Sequence, residues 1–293
     1  MGSSGSDNPP MAEIVAILGC PHAPPIARDW DTLKDPATSG LGQAFAELGR
    51  RIAAKRPNVI LVIGADHWAN FFLDNMPGIA LGVGSAHDGP SEPWLAGYPH
   101  TAMTGHPELA MHLADTVYAA GFEPSLSYRM KLDHAFCVPL WKSGLDPLPA
   151  IVPLVINALQ PPLPTMARCL QLGAVLAEGV RSYPGNLRVV IMASGGLSHS
   201  VGEPAMGRID EAFDRECAAL LTPGQPDRLL AFLTDDRVAR AGNGAAELRF
   251  WVAAHGAAGC RGFAMFHYEA LPSTFTGCGF GEWSLAPKRV EAR

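Results

Sequence analysis

The chain has no apolar run approaching the ~20 residues that a membrane-spanning helix needs. It has no basic run either: 22 Lys and Arg stand against 28 Asp and Glu, a net charge of −6. A mildly acidic protein without a basic stripe gives no electrostatic footprint for nucleic acid. The six cysteines (Cys20, Cys137, Cys169, Cys217, Cys260 and Cys278) never fall in a CxxC pair. That scatter argues against a zinc knuckle or a disulfide framework and fits reduced thiols in the cytoplasm. There is no HExxH, no internal repeat and no linker. No signal peptide follows residues 1–10, MGSSGSDNPP, which read as a tag or disordered tail with Met11 as the natural start.

What is present is a large apolar fraction, 48% of 293 residues, enough for one sizeable core. Its organising stretch is Asn58 to Asn70. Val59 to Ile63 has no polar face, so it reads as a strand buried on both sides, as in a parallel sheet. It breaks at Gly64 and delivers Asp66 and His67 at the strand's C-terminal end, the edge where open α/β sheets bind ligands. Ile14 to Leu18 repeats the pattern and hands over to Cys20, Pro21 and His22. Leu187 to Met192 does so again and ends in Ser194-Gly195-Gly196-Leu197-Ser198-His199. Three such strands in one sheet send three imidazoles into one crevice, which points to a metal or acid/base site. His134 stands at a further strand-to-helix junction, next to Asp133.

Elsewhere Leu41, Phe45, Leu48 and Ile52 share one helical face over residues 41–55, which Pro57 stops. Helices are expected over residues 107–120, 165–181, 205–221, 227–234 and 245–258. Strands are expected over 78–83, 124–128, 151–156 and 262–267. Residues 23–40 and 84–107 read as loops rich in Gly and Pro, and the last strand is followed by an aromatic- and Gly-rich tail to Trp283. His87, His100 and His106 read as surface groups of the second loop. Glu247 falls in the first turn of the helix over residues 245–258: either a carboxylate favoured by the helix dipole or a metal ligand facing the crevice. The simplest architecture is a single α/β domain over residues 11–293, three-layer α/β/α around a central, mostly parallel mixed sheet.

Taken from the residues alone, His22, His67, His134, His199 and Glu247 leave alternatives open. Two imidazoles and a carboxylate make the facial triad of non-haem Fe(II) oxygen chemistry, and the same count serves a zinc hydrolase. A binding scaffold without catalysis is the third reading.

Six motifs narrow this. CPHAP at Cys20–Pro24, ADHWANFF at Ala65–Phe72, GHPELA at Gly105–Ala110, LDHAFCVPL at Leu132–Leu140, SGGLSH at Ser194–His199 and NGAAELRFW at Asn243–Trp251 occur in that order. In this the chain resembles the catalytic subunit of class III extradiol ring-cleaving dioxygenases, of the protocatechuate 4,5-dioxygenase type, from Met11 onward. Its DHWANFF and SGGLSH wording is also close to the dihydroxyphenylpropionate branch. The resemblance implies Fe(II), O2 and a catechol-type substrate (protocatechuate, gallate, methylgallate or a dihydroxyphenylpropionate-like compound). It assigns His22, His67 and Glu247 as iron ligands, His199 as the acid/base histidine and His134 as a second one near the substrate oxygens. Trp68 and Phe136 are candidates for the substrate pocket, and Asp66 and Asp133 for orienting groups behind the ligands. Arg129 and Arg249 are weaker candidates for a substrate carboxylate. Ser200 stands where the family commonly has Gln, and Ala135 where it has Gly. A homo-oligomer, a small lid subunit or the 84–107 segment is expected to cover the site.

Overall fold

The computed structural model describes residues 10–95, 101–221 and 225–285. In chain order the elements are β1 (Glu13–Cys20), α1 (Pro24–Arg28), α2 (Trp30–Leu33), α3 (Leu41–Ala54), β2 (Val59–Gly64), β3 (Ile79–Gly82), β4 (Ala86–Gly89), β5 (Thr101–Thr104), α4 (Pro107–Ala119), β6 (Ser125–Ser127), α5 (His134–Lys142), β7 (Ala150–Ile156), α6 (Met166–Ser182), β8 (Arg188–Ser194), α7 (Glu211–Leu220), α8 (Pro226–Phe232), α9 (Asp235–Arg240), α10 (Leu248–Ala257), β9 (Phe263–Leu271) and β10 (Thr276–Trp283).

The main sheet has eight strands in the order β6-β3-β7-β2-β8-β1-β10-β9. Its centre, β7-β2-β8-β1, is parallel throughout. β3 joins β7 antiparallel, and β10 joins β1 and β9 antiparallel. The apolar runs explain the layering. Val59, Leu61 and Ile63 of β2 face a core shared with α4, α6 and α10; Ile60 and Val62 face a second core shared with α1, α3 and α5. Alternate residues of a strand point to opposite faces, so a strand covered on both sides has no place for a polar residue. The fold is the expected single three-layer α/β domain.

Four local expectations need correction. Residues 23–40 are not all loop: Pro24 and Pro25 open α1, where Pro is tolerated because no intrahelical partner awaits its missing N–H. Residues 84–107 contain the β4–β5 hairpin, and His87 within it is fully buried; His100 lies outside the described residues, as do residues 1–9. The expected helix over 205–221 begins only at Glu211, because Gly207 adopts a left-handed φ of +91° and Asp210 caps the N-terminus from the Phe213 amide. The tail is strand β10. Its glycines 277, 279 and 281 hide the strand signal, and a Cβ on each would press into Asp214, Leu197 and Phe263.

Candidate active site

β1, β2 and β8 end side by side, and the chain turns after each. His22, His67 and His199 therefore meet at one edge of the sheet. His134 joins them as the first residue of α5, capped by the Asp133 side chain on the Ala135 amide. Glu247 sits where the 3-10 turn Asn243–Glu247 passes into α10. The sequence places these five residues up to 225 positions apart; the fold puts His22, His67 and His199 around the Glu247 carboxylate, with His134 beside His67.

The contacts are specific. His22 Nε2 lies 3.1 Å from Glu247 Oε1, His67 Nε2 3.5 Å from the same oxygen, and His199 Nε2 4.0 Å from Oε2. Oε2 accepts a hydrogen bond from the Gly196 amide at 2.9 Å. The rings of His67 and His134 lie 4.1 Å apart between centroids. His22, His67 and His134 also bring one ring nitrogen each within 4.8 Å of the others. Of these three, His22 and His67 are the pair that meets Glu247, whereas His134 turns its Nδ1 to Glu92.

The opposite ring nitrogens are all engaged. His67 Nδ1 meets Asp133 Oδ2 at 3.1 Å, and His134 Nδ1 meets Glu92 Oε1. His199 Nδ1 lies 3.1 Å from the Leu197 carbonyl, which can only accept. His22 Nδ1 lies 3.1 Å from Ser194 Oγ, whose own proton goes to the Ala135 carbonyl, so here too Nδ1 donates. With every Nδ1 a donor, each neutral ring keeps its lone pair on Nε2. Two such lone pairs then face the oxygen of one ionised carboxylate, an arrangement that repels unless a proton or a cation lies among them. That donor set, with its outer nitrogens fixed, fits a metal ion.

Charge follows the same logic. Burial by itself would raise the Glu247 pKa, but the surrounding histidines hold it well below the ordinary value. Burial would lower that of His67, yet the Asp133 and Glu247 carboxylates raise it to about 10 without a metal. Burial lowers His134, reinforced by the neighbouring His67, and lowers His199 despite Glu247. Burial would raise Asp133, but His67 and His134 bring it down to about 2.

A cavity of about 560 Å³ opens above this cluster. Trp68 and Phe275 line it, and both hold a left-handed φ, +62° and +60°, that bulky residues rarely adopt. Phe136 does not line it: its ring is buried in the core against Gly64, because α5 turns that position toward the sheet. Asp66 does not reach the His67 ring. Its carboxylate accepts from the backbone of Ala69, Asn70 and Phe71 and so shapes the loop. Asp133, the sequence neighbour of His134, instead holds His67. Arg129 is paired with Asp88 on the surface, and Arg249 is buried against the Pro164 and Ala246 carbonyls; neither lines the cavity.

Several contributors carried no local sequence signal. Glu92 comes from the segment read as loop, and Ser194 looks like part of a strand end. Asp214 accepts from the Ser198 amide, the Ser198 hydroxyl and Tyr268, which pins the loop carrying His199. Gly244 is required by space: a Cβ there would lie 2.0 Å from His199 Nε2.

Fold and cluster together define a metal-dependent enzyme with its site at the C-terminal edge of a parallel sheet. The family described as the catalytic LigB subunit of aromatic ring-opening dioxygenase matches residues 16–284, and the chain belongs to it: it is an extradiol aromatic ring-opening dioxygenase. A 2,3-dihydroxyphenylpropionate/2,3-dihydroxicinnamic acid 1,2-dioxygenase of Klebsiella pneumoniae (strain 342) is 28% identical over 284 residues, covering 80% of this chain and 88% of that protein. A Pseudomonas putida protein described as 2,3-dihydroxyphenylpropionate/2,3-dihydroxicinnamic acid 1,2-dioxygenase 2 is 32% identical over 197 residues, covering 67% of this chain and 60% of that protein. An uncharacterized protein of Escherichia coli K12 shares the fold, with a TM-score of 0.56 at 17% identity over 92% of this chain and 100% of its own.

Proposed function

We propose that this dioxygenase uses Fe(II), held by His22, His67 and Glu247, to open the ring of a catechol bearing a short side chain. The observation that carries the reading is the convergence of two imidazole Nε2 atoms on one oxygen of a buried glutamate. Two histidines and one carboxylate are the donor set that would hold such an ion and still let a catechol and O2 reach it. Bound there, Fe(II) would supply a Lewis acid to lower the pKa of a catechol hydroxyl and a redox centre for O2 chemistry.

The chain's own residues do the rest. His199 is neutral at pH 7, with its proton on Nδ1 and its lone pair on Nε2, so it can take the second hydroxyl proton and later return it. His134 presents its Nε2 in the same way and acts on the substrate oxygens from the other side. Asp133 and Ser194 hold the two ligand rings in register. Trp68 and the apolar wall orient the ring and exclude water. The two dihydroxyphenylpropionate relatives support a catechol substrate with a carboxylated arm. Exposed Trp68, Phe72, Leu73 and Trp94 near the mouth support cover by a second copy of the chain or a small lid subunit. The six free thiols suit the cytoplasm.

The test is metal content after anaerobic purification, together with O2 uptake on a catechol panel. His22→Ala and Glu247→Ala should lose iron, whereas His199→Ala should keep iron and lose most turnover, on the order of 10²–10⁴-fold. Normal iron in the first two variants would refute the ligand assignment. Tight zinc without catechol-dependent O2 uptake would favour the hydrolase reading instead.

A further inference from the structure

Among the described residues, the cavity wall holds one cation besides its imidazoles. Arg28 is the last residue of α1, six positions after His22, and it lines the cavity. Its guanidinium makes a bidentate pair with the neighbouring Asp29: Nε donates to Oδ1 at 2.8 Å and a terminal nitrogen to Oδ2 at 2.6 Å. The pair is not buried; the Arg28 side chain is 63% exposed and that of Asp29 35%. An ion pair this exposed contributes little, so another carboxylate can replace Asp29 at small cost. The guanidinium fork that now grips Asp29 is the one that would grip a ligand carboxylate.

The cavity is therefore polarised. Its floor carries the buried anion Glu247, and its wall carries Arg28. The same lining carries the apolar side chains of Pro24, Pro25, Leu159, Met206 and Phe275. An aromatic ring fits against these apolar side chains. An anionic arm is repelled from the Glu247 end and drawn toward Arg28. The diol of the same molecule is left facing the histidines.

We propose that Arg28 is a specificity-determining residue that reads a carboxylate on the side chain of the aromatic substrate, with Asp29 as the intramolecular carboxylate it displaces. The inference rests on the ring-opening reading for the diol end of the substrate, and it adds the residue that reads the other end. It makes an unusual prediction for Asp29, because removing a competitor should strengthen recognition of the acid.

The experiment compares 3-(2,3-dihydroxyphenyl)propionate with its methyl ester, nearly the same shape without the charge. The readout is the acid-to-ester ratio of kcat/KM. Arg28→Ala should lower that ratio about tenfold, the loss expected for one charge-assisted contact. Arg28→Lys should recover part of it. Asp29→Asn should raise the ratio roughly threefold, the size of a weak exposed pair removed. Anaerobic calorimetry with 3-phenylpropionate and its methyl ester asks the same question of binding, with no turnover required. An unchanged ratio in Arg28→Ala, or equal losses in Arg28→Ala and Asp29→Asn, overturns the proposal. If neither catechol is consumed, the ring-opening reading fails, and the calorimetric ratio still decides for or against Arg28; no binding of the acid by the unaltered protein decides against it.

Discussion

Two groups of buried or half-buried histidines in this molecule differ in a way their burial does not reveal. In the active-site group, His22, His67, His134 and His199 each give the Nδ1 proton outward, to Ser194, Asp133, Glu92 and the Leu197 carbonyl. Their Nε2 lone pairs are left for the cavity. In the structural group, His87 and His255 do the reverse. His87 Nδ1 accepts from the Met130 amide, His255 Nδ1 accepts from the Trp283 indole, and both Nε2 atoms are buried without a partner. Burial lowers both to a pKa of about 4, and no carboxylate bonds to either ring. On the proposed assignment, a histidine serves here as a ligand or a base because of what its far nitrogen is bonded to. Depth alone makes it a core residue.

The comparison can be broken at several points. The largest effect is expected at Gly244. A Cβ there would occupy the space of His199 Nε2, so Gly244→Ala should displace the ring and lower kcat on the order of 10²-fold, with bound metal retained. Steady-state O2 uptake alongside metal analysis checks this; an unaltered kcat would mean that the ring has no fixed task. Next comes Asp133→Asn, which keeps a cap for α5 but removes the anion behind His67. Metal affinity should fall about 10–100-fold by anaerobic titration, while His255→Phe leaves it untouched. Equal affinities in the two variants would erase the distinction between the groups.

The smallest effect concerns pH. His87 and His255 have folded pKa values depressed from 6.5 to about 4, so between those values the unfolded chain binds more protons than the folded one. Their neutral forms support the fold above about pH 6.5, and that support is lost as pH falls toward 4. Denaturant melts at pH 7, 5.5 and 4.5 should show a loss to which His255 contributes roughly 2 kcal/mol. His255→Phe should flatten its share of the slope; a wild-type slope of the opposite sign would count against the buried neutral imidazole. Ring-nitrogen NMR of the metal-free protein sharpens all of this without mutation: His134 and His199 should show the tautomer opposite to that of His87 and His255, while His67 shows a doubly protonated ring.

The central strands were legible because each is apolar on both faces, and only the middle of a covered sheet demands that. Their ends were legible too, since Gly and Pro after β1, β2 and β8 interrupt the apolar run where a histidine follows. β10 was not, because its alternate glycines remove the side chains that mark a strand, and they are glycines on account of Asp214, Leu197 and Phe263 pressing from outside. The 84–107 segment was misread for a related reason. Its hairpin is short, its apolar pattern weak, and what fixes it is the bond from the Met130 amide to the buried His87 of β4 and the pairing of Glu92 with His134.

The order of apolar strands, their polar ends and the identities of the five converging residues were written in the chain itself, because strand periodicity and turn chemistry are local. Which carboxylate stands behind which ring was not. Asp133 adjoins His134 in sequence yet serves His67, Asp66 adjoins His67 yet serves the Ala69–Phe71 backbone and the Asn70 side chain, and Phe136 faces the core instead of the cavity. Those assignments depend on the direction in which each side chain leaves its turn, and only packing of distant segments settles direction.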